Sequence, residues 1–266
     1  MDLHLRNKHA LVTGASQGIG MTIANALAAE GCHLHLAART PQTLQALADR
    51  LQREHGVQVH THAADLATPA GIEAVTQACQ GVDILVNNAG AIPRGSVLEV
   101  DDAAWRQSWE LKVFGYLNLT RALYARMVER RAGVILNIIG IGAERLDYGY
   151  AAGSMGNAAL VALTRTIGGV SLDLGVRVLG LSPGWVETEK AKRTMRRRAA
   201  TLLGDENRWP EMAKEFPRGK LIDPQEVADV AAFLCSPRAS GMSGHIVTVD
   251  AGFASRGYPP PQAGTN

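Results

Sequence analysis

Residues 8–20 read KHALVTGASQGIG, and the fold follows from how this stretch changes character along its length. Lys8–Thr13 is a short apolar run of strand length that ends in the glycine-rich turn Gly14–Gly20. Behind it, MTIANALAAEG carries the rest of a stripe at Ile19, Ile23, Leu27 and Ala28, which is helical spacing with one buried face, and Gly31 is a plausible stop. Strand, glycine turn and helix make the first half of a βαβ unit. In such a unit Gly14 permits the tight turn, Gly18 lets backbone approach a phosphate, and Gly20 lets the helix pack closely. The helix N-terminus then offers free N–H groups and a positive dipole end to an anion.

Working outward, the alternation continues. His33–Ala37 reads as the second strand, and TPQTLQALADRLQREHG as an amphipathic helix with Pro41 in its first turn. Val57–His62 is a third strand, Ala70–Gln80 a helix, and VDILVNNAG a buried strand running into a turn. The spacing then predicts a single long helix over Asp101–Arg130, a strand at Gly133–Ile138, a helix over Tyr150–Leu172 and a strand at Val176–Leu181. A helix at Pro224–Leu234 and a short strand at Ile246–Val249 close the pattern. Strands that are apolar throughout and separated by helices imply a parallel sheet covered on both faces. The expected fold is therefore α/β, a doubly wound parallel sheet of the Rossmann type.

The 266 residues contain no linker-like break, so the whole chain reads as a single domain. Within it, 187–220 reads as an insertion and 257–266 as an extended tail. Cys32, Cys79 and Cys235 are odd in number and show no CxxC spacing, which fits buried thiols in a reduced, cytoplasmic protein. The N-terminus has no signal-peptide core, and no apolar run reaches membrane-spanning length. A net charge of +2 gives no general argument for nucleic acid. His33 with His35, and His60 with His62, are i,i+2 pairs that each share a strand face. No cysteine or carboxylate cluster accompanies either pair, and both lie near adenosine-side strands, so both are expected to be non-ligands, with no metal site.

TGASQGIG at 13–20, AADL at 63–66, NNAG at 87–90 and PGWVET at 183–188 occur together in the order and spacing of the short-chain dehydrogenases/reductases. The chain resembles that superfamily from about Lys8 to Phe253. The resemblance implies that Gly14, Ser16, Gln17, Gly18, Ile19 and Gly20 hold a nicotinamide dinucleotide's pyrophosphate end. It places Asp65 and Leu66 beside the adenine, and Asn87 to Gly90, with Asn88 and Ala89 between them, along the cofactor cleft. Pro183, Gly184, Val186 and Thr188 fall at the nicotinamide. An acidic residue ending the second strand would favour NAD(H). Ala37-Ala38-Arg39-Thr40 stands there instead, and the Arg39 fork can pair with a 2′-phosphate, so NADP(H) is favoured over NAD(H).

The same resemblance implies a catalytic Ser, Tyr and Lys, helped by an Asn on the long fourth helix. In the family's register these positions hold Gly140, Gly153, Asn157 and Lys112, so the chain reads as a divergent member with none of the four. Asn and Lys are exchanged, which leaves an ammonium and an amide available from opposite helices. Tyr150 lies seven residues before Asn157, about two turns and nearly the same helix face. A Tyr at that spacing resembles the pattern of enoyl-acyl-carrier-protein reductases, a divergent branch of the superfamily. The reading makes Tyr150 the proton donor, Lys112 its electrostatic support and Asn157 a partner of ribose hydroxyls, since an amide both donates and accepts. Tyr148 is a second candidate phenol, Ser154 a candidate to face the cleft in place of the missing serine, and Asn137 is read as structural.

In this family the segment after PGWVET covers the substrate. Here it carries Lys190, Lys192, Arg193, Arg196, Arg197 and Arg198, which would suit a small anionic or thioester-linked substrate if some turned inward. Trp185, Met195 and Trp209 are candidate apolar wall residues. The two long apolar-rich helices form dimers and often tetramers in related proteins, so a homodimer or homotetramer is expected, without nucleic-acid or membrane partners. The leading expectation is an NADP(H)-dependent oxidoreductase acting on a carbonyl/alcohol pair or an activated alkene. Two alternatives stay open: a redox-inactive cofactor-binding or scaffold protein, and a non-redox lyase or isomerase on the same fold.

Overall fold

The computed structural model describes residues 1–257. The expected tail therefore lies outside the described residues except for Gly257. Among the described residues one parallel sheet runs in the order β3-β2-β1-β4-β5-β6-β7. Its strands are β1 (His9–Thr13), β2 (His33–Ala38), β3 (Val59–Ala63), β4 (Ile84–Asn87), β5 (Gly133–Ile138), β6 (Val176–Pro183) and β7 (Ile246–Val249). The helices are α1 (Gly18–Ala29), α2 (Pro41–His55), α3 (Pro69–Ala78), α4 (Asp102–Trp109), α5 (Gly115–Arg130), α6 (Ala151–Ser171), α7 (Glu189–Leu203), α8 (Trp209–Ala213) and α9 (Pro224–Cys235). The chain forms a single α/β domain of the Rossmann type.

Two apolar layers sandwich the sheet. Ile23 and Leu27 of α1, Leu44 and Leu51 of α2 and Val227 and Ala231 of α9 pack on one face against Val12, Leu34 and Leu36. Val75 of α3 and Leu119, Leu123 and Met127 of α5 pack on the other against Leu11, Leu85 and Ile135. β1 pairs with β2 on one side and β4 on the other, so strand order reverses there. A crevice opens at the carboxyl ends of such strands, which is where ligands bind in open α/β sheets.

The expected long helix over Asp101–Arg130 is continuous but carries a π-bulge. After α4, a five-residue π-turn at Glu110–Phe114 precedes α5. Such turns recur at functional sites, and Lys112 sits at the centre of this one. The segment 187–220 folds into α7, α8 and short turns around a small core of its own, made by Met195, Ala199, Met212, Phe216 and Leu221. Thr188 begins it as the N-cap of α7, its hydroxyl accepting from the Ala191 N–H. No described helix is long and apolar enough to cross a membrane.

Candidate active site

One cleft of about 1050 Å³ opens over the carboxyl ends of the strands. Its floor at one end is the glycine turn. The N-cap of α1, Gln17, makes no side-chain capping bond, and no acidic residue lies in the first turn, so the helix presents its free N–H groups to the cleft. Asn88 ties this turn to β4: its amide donates to the carbonyls of Thr13 (3.0 Å) and Gly14 (3.3 Å), while its backbone N–H reaches the Thr13 hydroxyl (2.8 Å). Gly20 is part of this fixture rather than of the cleft wall, because a Cβ there would stand 2.4 Å from both the Asn88 amide nitrogen and the Gly14 carbonyl oxygen.

Gly14, Ser16, Gln17, Gly18, Ile19, Arg39, Leu66, Asn88, Ala89, Gly90, Pro183, Gly184, Val186 and Thr188 all line the cleft. Two more residues expected there, besides Gly20, do not. Asp65 turns its carboxylate back to accept from the Ala67 N–H at 3.0 Å, leaving Ala64 and Leu66 to form the wall. Asn87 is fully buried beneath it, donating to Thr120 (3.1 Å) and Asn137 (2.9 Å). Asn137 donates onward to Thr164 at 2.9 Å, so this chain of amides and hydroxyls clamps β4, β5, α5 and α6 together under the site.

Tyr150, at the N-cap of α6, projects into the cleft, and its ring lies over Gly153. A Cβ at Gly153 would meet Tyr150 Cζ at 2.0 Å and Cε1 at 2.1 Å. The phenol thus occupies the space in which a side chain at 153 would begin, the position where the resemblance expects the family's tyrosine. Burial raises the Tyr150 pKa above its ordinary value, opposed by the charge of Arg94. That guanidinium lies 5.0 Å from the centroids of both the Tyr150 and Trp185 rings, bridging them, and is ion-paired to Asp147.

Lys112 enters from the opposite side. Its stem packs on the Gly90 backbone and its ammonium donates to the Ile139 carbonyl at 2.6 Å. Desolvation pulls its pKa down to about 7, with repulsion from Lys190 adding to the effect. The cation that bears on the Tyr150 phenol is therefore Arg94, not Lys112 as expected. Asn157 lies between the two, 2 % exposed, its Nδ2 against Gly140 and Gly142 and its Oδ1 without a partner. Ser154 does not take the place of the missing serine: its Oγ is buried without a partner and does not line the cleft. Tyr148 reaches the cleft rim but is mostly exposed.

The end of the cleft beside the 187–220 segment is more basic and aromatic than the sequence alone indicates. Of the basic window, Lys190 and Arg198 line the cleft, whereas Lys192 pairs with Glu187 at 3.1 Å. Met195 and Trp209 sit in the small core of the 187–220 segment, and the apolar wall is made by Trp185, Phe216 and Phe253. Arg145 stacks 4.1 Å from the Phe253 ring centroid. Arg94, Arg145, Phe216 and Phe253 were not legible as site residues, because they come from loops and from the C-terminal end of the chain, with no local motif to mark them.

A nicotinamide dinucleotide fits these residues on two independent counts. The uncapped helix end is an anion site, and Asn157, a residue of the cleft lining, keeps a buried Oδ1 without a partner, an acceptor left over for a ligand hydroxyl. Comparison with known proteins agrees with this class. The family profile described as Enoyl-(Acyl carrier protein) reductase matches residues 14–254. Oxidoreductase UcpA of Escherichia coli (strain K12) is 34% identical over 253 residues, 93% of this chain and 95% of that protein. The 3-oxoacyl-(acyl-carrier-protein) reductase FabG of Vibrio cholerae is 32% identical over 254 residues, 94% of this chain and 98% of that one. L-Sorbose reductase from Gluconobacter frateurii, solved with NADPH and L-sorbose, superposes with a TM-score of 0.90 at 32% identity, covering 96% of this chain and all of that chain (100%). Fold and cleft define a dinucleotide-binding oxidoreductase. The chain belongs to the short-chain dehydrogenase/reductase family.

Proposed function

We propose that this chain is an NADP(H)-dependent reductase of carbonyl groups or activated alkenes, working with a rearranged set of proton-handling residues. The observation that carries the reading is the Tyr150 ring lying over Gly153 inside the cleft. Bound nicotinamide would supply or accept the hydride. In reduction, the Tyr150 O–H bond breaks and its proton passes to the oxygen or carbon that has gained negative charge, leaving a phenolate beside the Arg94 guanidinium. A phenol whose pKa is raised by burial stays protonated at neutral pH and is a poor base there. At neutral pH the phenol is thus in the form that donates a proton in reduction.

Asn157 would hold a ribose hydroxyl through its free Oδ1. Lys112, about half protonated at pH 7, would act as a titrating cation in the cleft wall. Arg39, exposed at the end of β2 with no carboxylate nearby, would meet a 2′-phosphate. Lys190, Arg198 and Arg145 around the mouth favour an anionic or thioester-linked substrate. Phe114, Met155 and Val170, exposed on α6 and the π-turn, support assembly of two or four copies through this side, which sedimentation would test.

The test has two arms. Fluorescence titration with NADPH and NADH should show binding well below about 1 mM, tighter for NADPH. Wild-type chain should then oxidise NADPH with some member of a panel of ketones, aldehydes and enoyl thioesters. Failure to bind either nucleotide ends the oxidoreductase reading, and binding without any turnover favours the redox-inactive alternative.

A further inference from the structure

Of the chain's 8 histidines, five gather at one corner of the sheet, far from any catalytic argument. His9, His33, His35, His60 and His62 project from β1, β2 and β3 on the α3 face, with His35 in register with His60, and Ala37 with His62. The rings of His35 and His62 are stacked, 5.2 Å between centroids and 7° apart in plane. His35 Nδ1 and His62 Nε2 are 2.9 Å apart, and Cys79 Sγ, from the turn after α3, is 3.7 Å from the same His62 nitrogen. The three donor atoms all lie within 4.8 Å of one another. None of the three lines the cleft.

We propose that His35, His62 and Cys79 form a site for a thiophilic divalent metal ion such as Zn²⁺, separate from the catalytic cleft. The spacing argues for it. In a tetrahedral site with Zn–N near 2.0 Å and Zn–S near 2.3 Å, ligand nitrogens lie about 3.3 Å apart, and nitrogen and sulfur about 3.6 Å apart. The pairs at 2.9 Å and 3.7 Å need only small movements to reach those values. Two imidazoles and a thiolate match the ligand chemistry of Zn²⁺ and leave one position open. That opening faces outward, because His62 and His35 are only half-buried, β3 is the edge strand, and the exposed His60 ring lies beside His35 at 5.1 Å.

Proton competition is lopsided. Desolvation, helped by the neighbouring imidazoles, holds His35 down at about 4, and His62 is lowered for the same first reason. Both imidazoles are thus neutral and ready to ligate at pH 7 without losing protons. Burial pushes Cys79 up to about 12, so only the thiol must release a proton to the metal, which makes binding strengthen with pH. Strand-by-strand reading missed this set because its ligands come from three elements: two neighbouring strands and the helix laid across them.

The experiment uses tag-free, chelator-treated, full-length chain titrated with Co²⁺ and then Zn²⁺. The expected result is one Co²⁺ per chain with a sulfur-to-cobalt charge-transfer band in the near ultraviolet and the visible bands of tetrahedral coordination, displaced stoichiometrically by Zn²⁺. Cys79→Ser should abolish the charge-transfer band, and His62→Ala and His35→Ala should each weaken Co²⁺ binding at least tenfold. NADPH binding and circular dichroism report that each variant is folded. Absence of the band in folded wild type, or an undiminished band in Cys79→Ser from Cys32 or Cys235, overturns the proposal. Zn²⁺ calorimetry on unmodified wild type decides the matter if a variant does not fold: no binding at equimolar ion refutes the site.

Discussion

Replacing Gly153 by alanine adds one methyl group, and the structure specifies what it must displace. The new Cβ would stand 2.0 Å from Tyr150 Cζ, 2.1 Å from Cε1 and 2.5 Å from Cε2. Ordinary carbon–carbon contact begins near 3.5 Å, so the ring must retreat by about 1.5 Å. Displacements of about 1 Å can cost roughly a hundredfold in rate when a positioned group handles the reaction. Losing a general acid altogether costs about 10²–10⁴. Gly153→Ala should therefore lower kcat by about a hundredfold or more, equivalent to about 3 kcal/mol of barrier. The fold should survive, since alanine is favoured over glycine in a helix by up to about 1 kcal/mol. NADPH oxidation against the best substrate of the panel, together with the NADPH Kd by fluorescence, checks this. Unchanged kcat in a folded, NADPH-binding Gly153→Ala variant would refute the placement of the phenol as the reason for activity.

Arg39→Ala should weaken NADPH binding by about ten- to a hundredfold, the value of a charge-assisted contact, and leave NADH nearly unaffected; equal losses for both nucleotides would remove the 2′-phosphate argument. Asn157→Ala deletes a buried acceptor that has no partner in the free protein, so melting without cofactor should shift upward while NADPH affinity falls by up to about tenfold; a parallel fall of both would mean that Asn157 is only structural. Lys112 has a depressed pKa in the folded state, so its buried charge costs stability wherever the ammonium is protonated in both states, at and below about pH 7. That cost fades as pH rises from about 7 toward the ordinary lysine value, and the Tm gain of Lys112→Met over wild type should shrink over the same window. A gain independent of pH would contradict the titration.

The fold was legible because its signals are local. KHALVTGASQGIG contains strand, turn and helix start in thirteen consecutive residues, and the apolar runs of β4, β5 and β6 announce a sheet covered on both faces. The π-turn was not, since Glu110–Phe114 keeps helical composition and only the backbone records its extra width. In the cleft, motif residues fell into place where backbone presents them, as at Gly14–Ile19 and Pro183–Val186. Side-chain directions were the weaker part. Asp65 sits in the expected stretch but spends its carboxylate on its own turn, and Ser154, although one helical turn from Asn157, is buried without reaching the cleft. Arg94 was invisible because its relation to Tyr150 and Asp147 exists only once the loop after NNAG folds over the start of α6. The closeness of His35, His62 and Cys79 was hidden for the same reason, since they are neighbours only across strands and helix.

The proposed chemistry rests on one phenol, and removing its hydroxyl tests it most directly. Tyr150→Phe keeps the ring over Gly153 and leaves the glycine turn, Arg39 and Asn157 untouched. With NADPH and a substrate that wild type reduces, the variant should bind NADPH with unchanged Kd and lose about a hundredfold or more in kcat at neutral pH. Turnover in Tyr150→Phe equal to wild type would contradict the account, and would place the proton donor elsewhere in the cleft.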